Sequence, residues 1–327
     1  MLNFQDLPDE AVLKILSFSE TKDLISCGQV SKIIRRISHD GTLWVTTNLK
    51  KKIVKTELLE MILGKGCRIL SLCHSTILGN LRSNIKSQLI VLKFLSQSKD
   101  CVSENTRDVL EKLLLSCCFL QHLVIKDVFL TPKMASSICK NGKTLQTLNL
   151  SGSFFGETNL QEIIKCCQEL KEVDLAHSVY DLAYAYDTDV FISDNHFEFL
   201  AANMPPNIEK LNLAGNLIMD DEVKTLLRRC NKIKALNLEA SQITDDSFIN
   251  IKQHLNLTLE ELSMSLELKN HFLTNVFISF NGLLELKSMP RLKILNLSYE
   301  NGDDEKIQNL RQHLSHLMIK VTTPFER

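Results

Sequence analysis

"LQTLNL", residues 145–150, sets an apolar residue, two others, an apolar residue, one other and a last apolar residue in six positions. Its second half alternates, so Leu148 and Leu150 point to one face of an extended strand and Asn149 to the other. The spacing recurs as "LQHLVI" from Leu120, "LKEVDL" from Leu170, "IEKLNL" from Ile208, "IKALNL" from Ile233, "LEELSM" from Leu259 and "LKILNL" from Leu292. Looser copies start at Cys67, Leu89 and Leu314. Measured between the middle apolar residues, 25 positions separate Leu123 from Leu148, Leu148 from Val173 and Leu211 from Leu236, and 26 separate Leu236 from Leu262.

A period of that length belongs to the leucine-rich repeat. Helical patterns with start signals lie between the strands: "SENTRDVLEKLLLSC", "TPKMASSICK", "ETNLQEIIKCC", "MDDEVKTLLRRC" and "TDDSFINIKQHL". A single unit cannot bury its apolar side, so the fold class is α/β, a curved solenoid with about ten parallel strands inside the bend and helices outside. Cys117, Cys167 and Cys230 close their helices six residues before the middle strand position. Ser153, Ser178, Asn216 and Ser241 follow their strands where a polar side chain is expected to bond the turn. Two steps are long, 38 residues from Val173 to Leu211 and 33 from Leu262 to Leu295. The first holds "SVYDLAYAYDTDVFISD", with Tyr180, Tyr184 and Tyr186 among aspartates; the second, "LELKNHFLTNVFISFNGLLELKSMP", reads as a longer helix ending near Pro290.

Composition removes several function classes. The chain has 327 residues, 44% hydrophobic, with 38 basic against 39 acidic side chains and a net charge of -1. Such balance offers no electrostatic footprint for nucleic acid or an anionic membrane, and Lys50 to Lys52 read as a solvated face. No stretch approaches the roughly 18 apolar residues that span a bilayer, and the N-terminus lacks a signal-peptide pattern. A soluble protein of the nucleus and cytoplasm is expected. The ten cysteines show no Cys-x-x-Cys spacing, so buried reduced thiols are expected rather than zinc. No phosphate-cradling glycine loop, Gly-x-Ser-x-Gly elbow or His-Glu-x-x-His occurs, and His313 with His316 is the one close histidine pair. No catalytic residue, metal ligand or cofactor is expected.

The first 46 residues depart from the repeat. In "QDLPDEAVLKILSF", residues 5–18, Leu7, Pro8, Asp9 and Glu10 set a helix start, and Val12, Leu13, Ile15 and Leu16 supply an apolar side. "SETKDLISCGQV" and "SKIIRRIS" read as second and third helices before "GTLW" at 41–44. So small a bundle buries too little surface to stand alone and should dock on something.

"LPDEAVLKIL", with "LISCGQVSKIIRRI" and "GTLW" at matching distances, resembles an F-box. An F-box followed by leucine-rich repeats resembles the F-box/leucine-rich-repeat substrate receptors of SCF ubiquitin ligases. The resemblance covers nearly the whole chain and implies an F-box over 1–46, a linker or capping helix over 47–66, repeats over 67–320 and a short tail over 321–327. It implies that Leu7, Pro8, Ile15, Leu16, Leu24 and Val30 bind the SCF adaptor subunit and, through it, cullin, some of them from within the bundle core; Trp44 fits the same apolar pattern. Ile34 stands where the family often has an aromatic residue, and Ser31 where it has Cys or another small residue. It further implies a protein substrate, such as a phosphorylated cell-cycle regulator, a small CDK-associated accessory subunit as partner, and no catalysis by the chain itself. The box begins almost at Met1 and only Lys320 to Arg327 follow the last repeat, which weakens the expectation for contacts that rest on a longer extension or tail, accessory-subunit docking included.

For the substrate, two rows of outward strand residues are candidates. Asn149, Asp174, Asn212, Asn237, Ser263 and Asn296 form the first; Glu239 stands in the second, with Ser151, Ala176, Ala214, Ser265 and Ser298. They read either as a binding floor or as solvated strand residues. The first row has almost no Arg or Lys to grip phosphate, so an accessory protein would supply the cations. Tyr184 and Tyr186 read as a binding hot spot or as a folded-over loop. The alternative to the receptor is a repeat scaffold whose N-terminal helices only cap the solenoid.

Overall fold

The computed structural model describes residues 7–96, 103–178, 196–216, 218–268, 276–298 and 304–322. It divides into two units, Met1–Val128 and Phe129–Arg327.

The first unit opens with helices α1 (Asp9–Leu16), α2 (Thr21–Cys27) and α3 (Lys32–Ser38) and a 3-10 turn at Gly41–Trp44. Pro8 sits extended just before α1, and Ser31 accepts a hydrogen bond from the Ile34 N–H at 3.2 Å to cap α3. Ser31 is therefore the start signal of the third helix. Val12, Leu16, Leu24, Ile37 and Trp44 form the interior, and the Trp44 indole N–H donates to the Ser38 carbonyl at 2.8 Å. Arg36 pairs with Asp9 at 2.6 Å, joining α3 to α1.

Strands β1 (Thr46–Asn48) and β2 (Ile53–Lys55), helix α4 (Thr56–Gly64), strands β3 (Ile69–Ser71), β4 (Thr76–Leu78) and β5 (Val91–Leu95), helix α5 (Glu104–Ser116) and strand β6 (His122–Lys126) complete the unit. β1, β3, β5 and β6 run parallel in that order, Leu70 facing Leu92 and Leu92 facing Leu123. The repeat sheet thus begins with β1, across the junction of the stretches read as F-box and linker, because Thr47 takes the buried position that leucine fills in later strands. The Lys65 ammonium at the end of α4 donates to the His39 carbonyl at 2.6 Å, holding the three-helix bundle against the capping helix.

The second unit contains β7 (Phe129–Leu130), α6 (Pro132–Cys139), β8 (Thr147–Asn149), β9 (Phe154–Phe155), α7 (Glu157–Cys166), β10 (Glu172–Asp174), α8 (His196–Asn203), β11 (Lys210–Asn212), α9 (Asp220–Arg229), β12 (Ala235–Leu238), α10 (Asp245–Leu255), β13 (Glu261–Ser265), β14 (Glu267–Leu268), β15 (Val276–Phe277), α11 (Phe280–Leu284), β16 (Ile294–Ser298), α12 (Asp304–His313) and β17 (Met318–Thr322). β8, β10, β11, β12, β13, β16 and β17 form a parallel sheet in which Leu148, Val173, Leu211, Leu236, Leu262 and Leu295 stand side by side, all buried. Each such leucine contributes about 1.5–3 kcal/mol of apolar burial, an upper estimate.

Two expectations fail in this unit. In place of the longer helix read over 266–290, the described residues form the antiparallel pair β14 and β15, then α11 and a 3-10 turn at Glu285–Ser288. "NVFISF" is rich in β-branched and aromatic residues, and Ser279 starts the helix only afterwards by accepting from the Gly282 N–H. In the last strand Ile319, rather than Leu317, faces Leu295. Leu314 and Leu317 are buried in the turn before the strand, so the "LSHLMI" copy is out of register by two residues.

Repeat geometry is fixed by positions other than leucine. Four residues after the middle strand residue the backbone turns left-handed: Lys51, His74, Asp127, Gly152, His177, Gly215 and Ala240 have φ between 52° and 72°. At Gly215 a Cβ would lie 2.1 Å from the His177 ring, so glycine is required twice over. One residue later, Ser178 donates to the Leu150 carbonyl at 3.2 Å and Asn216 to the Leu175 carbonyl at 2.9 Å, each reaching the preceding strand's turn as expected. Ser241 is buried there, and its hydroxyl has no partner among the described residues. Asp220 and Asp245 begin their own helices and bond the start of the next, at Thr244 and Ser279 respectively.

Candidate functional site

Large apolar side chains stand exposed on all three N-terminal helices and the turn between the last two: Ile15 at 46%, Phe18 at 80%, Ile25 at 37%, Val30 at 73% and Ile33 at 50%. In α1 the buried Val12 and Leu16 lie four apart on one side, which leaves Ile15 on another, and Phe18 stands exposed just past the end of the helix. A bundle this small with so much uncovered apolar surface has the composition of a docking face. Among the residues read as adaptor contacts, Pro8, Ile15 and Val30 are exposed and Leu7 is half-buried. Leu16 and Leu24, at 3% and 4% exposure, pack inside the bundle, the place expected for some of the set. Phe18, Ile25 and Ile33 are exposed as well and were not among the residues read from the sequence as adaptor contacts.

In the second unit the outward residues of β8 to β13 floor an open trough of about 330 Å³. Its first candidate row does local work. Asn149, Asp174, Asn212 and Asn237 each accept the backbone N–H two residues on, at 2.9–3.2 Å, a bond that closes the strand end. Asn149 also donates to Asp174 at 2.7 Å, and Asn296 donates to Ser263 at 2.9 Å and Glu261 at 2.8 Å. Ser263 and Glu239 are buried, at 7% and 5% exposure. The amide nitrogens of Asn212 and Asn237 carry no bond among the described residues, and they remain the row's free donors. Tyr184 and Tyr186 lie outside the described residues.

Lys210 lines the trough, and Lys234 and Lys293 stand just before β12 and β16; none belongs to the first row, and all three are neutralised. Lys210 pairs with Glu172 at 2.7 Å, Lys234 with Glu209 at 2.6 Å and Lys293 with Glu260 at 2.6 Å. The Lys234 and Lys293 ammonium groups hold the Glu209 and Glu260 carboxyls below the usual carboxylate range, and Glu172 pushes the Lys210 ammonium up.

The helix-closing cysteines are chemically quiet. Burial pushes the Cys117 thiol up to about 11 and those of Cys167 and Cys230 up to about 12, and Cys230 donates to the Pro205 carbonyl at 3.4 Å. Among the described residues no group of three or more His, Cys, Asp or Glu could hold a metal ion.

Family comparison agrees with this geometry. The model of the SKP2 LRR domain matches residues 57–326, and an F-box-like model matches residues 4–50. The chain belongs to the F-box proteins with SKP2-type leucine-rich repeats. The two matched ranges leave only residues 51–56 between them, so the F-box/SKP2-type match takes up the bundle first and the repeats from the start of α4. Among solved structures, Leiomodin-1 actin-binding site 2 is similar at 20% identity over 40% of this chain and 76% of that one, with a TM-score of 0.28, too low to bear on fold or partners. An F-box with SKP2-type repeats supports the role of SCF substrate receptor, and the F-box implies an SKP1-type adaptor and cullin as partners.

Proposed function

We propose that this chain is the substrate-recognition subunit of an SCF ubiquitin ligase, with the three-helix bundle seated on the adaptor and the repeats holding a protein substrate. The exposed apolar side chains of the bundle carry the reading, since Ile15, Phe18, Val30 and Ile33 are uncovered while Trp44 and Leu16 already fill the interior. Leu7 and Pro8 lie at the entrance to α1 and belong to the same contact. The chain itself makes no bond; it raises the effective concentration of substrate lysines near a thioester held elsewhere in the complex. A phosphorylated cell-cycle regulator is the proposed substrate. The lysines beside the trough are engaged by Glu172, Glu209 and Glu260, so the cations for a phosphate would come from an accessory subunit such as a CDK-associated one. Nucleus and cytoplasm are the compartments this role requires.

The test is calorimetric titration of the purified chain with an isolated SKP1-type adaptor, beside an Ile15→Ala, Phe18→Ala, Val30→Ala variant. All three side chains are exposed, so circular dichroism of the variant should match wild type. Binding by wild type, weakened at least about 100-fold in the variant, is expected, since several apolar anchors are lost together. A well-folded wild-type chain that ignores the adaptor removes the ligase reading and leaves the scaffold, in which the bundle only covers the β1 edge.

A further inference from the structure

Cys139 and Cys166 are the last residues of α6 and α7, the helices of two consecutive repeats. They differ from the buried thiols of Cys117, Cys167 and Cys230, since Cys139 is half-buried and Cys166 is exposed. The fold brings the two helix ends together. The Gly142 N–H donates to the Cys139 carbonyl at 3.0 Å where the chain leaves α6, and the same glycine approaches the Cys166 carbonyl so closely that a Cβ there would collide with it. The missing side chain is thus what lets the end of α7 close on the end of α6. Across that contact the Cys139 and Cys166 thiols are hydrogen-bonded to each other, although 27 positions separate them in the chain.

Two sulfurs are too few to enclose a structural zinc ion, and among the described residues no group of three or more His, Cys, Asp or Glu could hold a metal. Redox chemistry needs only the two. Burial, then the hydrogen bond to Cys166 and the negative charges that Cys166, Cys167 and Glu162 can carry, push the Cys139 thiol up. Cys139 therefore stays protonated, and the exposed sulfur of Cys166 is the one that a soluble oxidant meets, with a second sulfur already beside it.

We infer that Cys139 and Cys166 form a reversible oxidation site, at which hydrogen peroxide converts Cys166 to a sulfenic acid and Cys139 captures it as an intramolecular disulfide. In the first step the Cys166 thiolate attacks the peroxide, an S–O bond forms, the O–O bond breaks, and the hydroxide released takes up a proton as water. In the second the Cys139 sulfur attacks the Cys166 sulfur, the S–S bond forms, the S–O bond breaks, and the departing hydroxide leaves as water with the Cys139 proton. The two thiols together lose two electrons, and one peroxide becomes two waters. Sulfurs in hydrogen-bond contact need only a short approach to reach the roughly 2.05 Å of a disulfide. The link would tie α6 to α7, and it is reversed by a dithiol reductant. The inference concerns the ends of these two helices and does not rest on the receptor reading.

The test uses the full chain, reduced with dithiothreitol, desalted, treated with hydrogen peroxide and then blocked with N-ethylmaleimide. Non-reducing peptide mass spectrometry should find one linked pair, Cys139 with Cys166, resolved from Cys167 by fragmentation and lost on return to dithiothreitol. Labelling of Cys166 by iodoacetamide, added in place of the maleimide, should fall about tenfold or more after peroxide and recover on reduction. The link should be absent from Cys166→Ser and kept in Cys167→Ala. With dimedone present during oxidation, Cys139→Ser should accumulate the sulfenic acid adduct at Cys166 at least about tenfold over wild type, because the capturing thiol is gone. Equal dimedone adducts in wild type and Cys139→Ser overturn the inference, as does a Cys166 that peroxide leaves unmodified. So does a link of Cys166 to Cys167, of Cys139 to Cys167, or of Cys166 between two chains in place of the Cys139–Cys166 pair.

Discussion

Asn216 and Ser241 occupy the same position in successive repeats and should respond to alanine in opposite ways. Asn216 is 3% exposed, and its amide donates to the carbonyls of Leu213 at 2.8 Å, Leu175 at 2.9 Å and Ala214 at 3.3 Å. Those carbonyls also accept backbone N–H groups from Asn216, Ser178 and His177 respectively, so none is orphaned by the substitution. The loss is then the net value of two short bonds and one long one, about 1 kcal/mol each at most, plus a small cavity. Removing the Asn216 Oδ1, buried without a partner among the described residues, returns about 1 kcal/mol. Asn216→Ala should therefore cost about 2 to 3 kcal/mol. Ser241 is equally buried, but its hydroxyl has no partner, so Ser241→Ala should fall within about 0.5 kcal/mol of wild type or stabilise slightly. Urea unfolding followed by far-UV circular dichroism reads both as midpoint shifts at unchanged slope. Equal midpoints for the two variants would refute the claim that side-chain bonding at this position ties one repeat to the one before.

Native-state alkylation should modify Cys118 and Cys166, which are exposed, well before Cys117, Cys167 and Cys230, whose thiols burial holds largely protonated; peptide mass spectrometry after a timed iodoacetamide pulse at mildly alkaline pH checks the order. The Glu209 carboxyl is depressed chiefly by its hydrogen bond to Lys234, so the pair's contribution is complete above the ordinary glutamate range and is lost as pH falls through the lower folded value. Side-chain carbon chemical shifts should show Glu209 titrating below that range in wild type and moving up towards it in Lys234→Met; an unmoved titration would mean that the ion pair is absent in solution.

The repeat was legible in "LQTLNL" and its copies because a parallel strand buried on one face must alternate, and identical packing demands recur at each turn of the chain. The helix starts at Ser103, Thr131 and Thr244 were equally legible, since capping is a local bond between a side chain and a backbone N–H three or two residues away. Register was not local. Leu317 and Ile319 fit the pattern equally well, and the hydrogen-bonded neighbour β16 decided between them. Thr47 carried no leucine to announce β1, and "NVFISF" kept a helical spacing of apolar residues while its β-branched side chains favoured a strand.

The sequence by itself determined the repeat period, the F-box and the absence of familiar catalytic motifs, all of which depend on residue type at fixed spacing along the chain. Tertiary structure alone decided which apolar residues of the box are uncovered, that Leu16 and Leu24 are interior, that Asn149 bonds Asp174 of the next strand, and that Lys210 is paired with Glu172. Those outcomes depend on neighbours from other elements, such as Asn149 and Asp174 from 25 residues apart, and burial and pairing are properties of such neighbours rather than of any one stretch of chain.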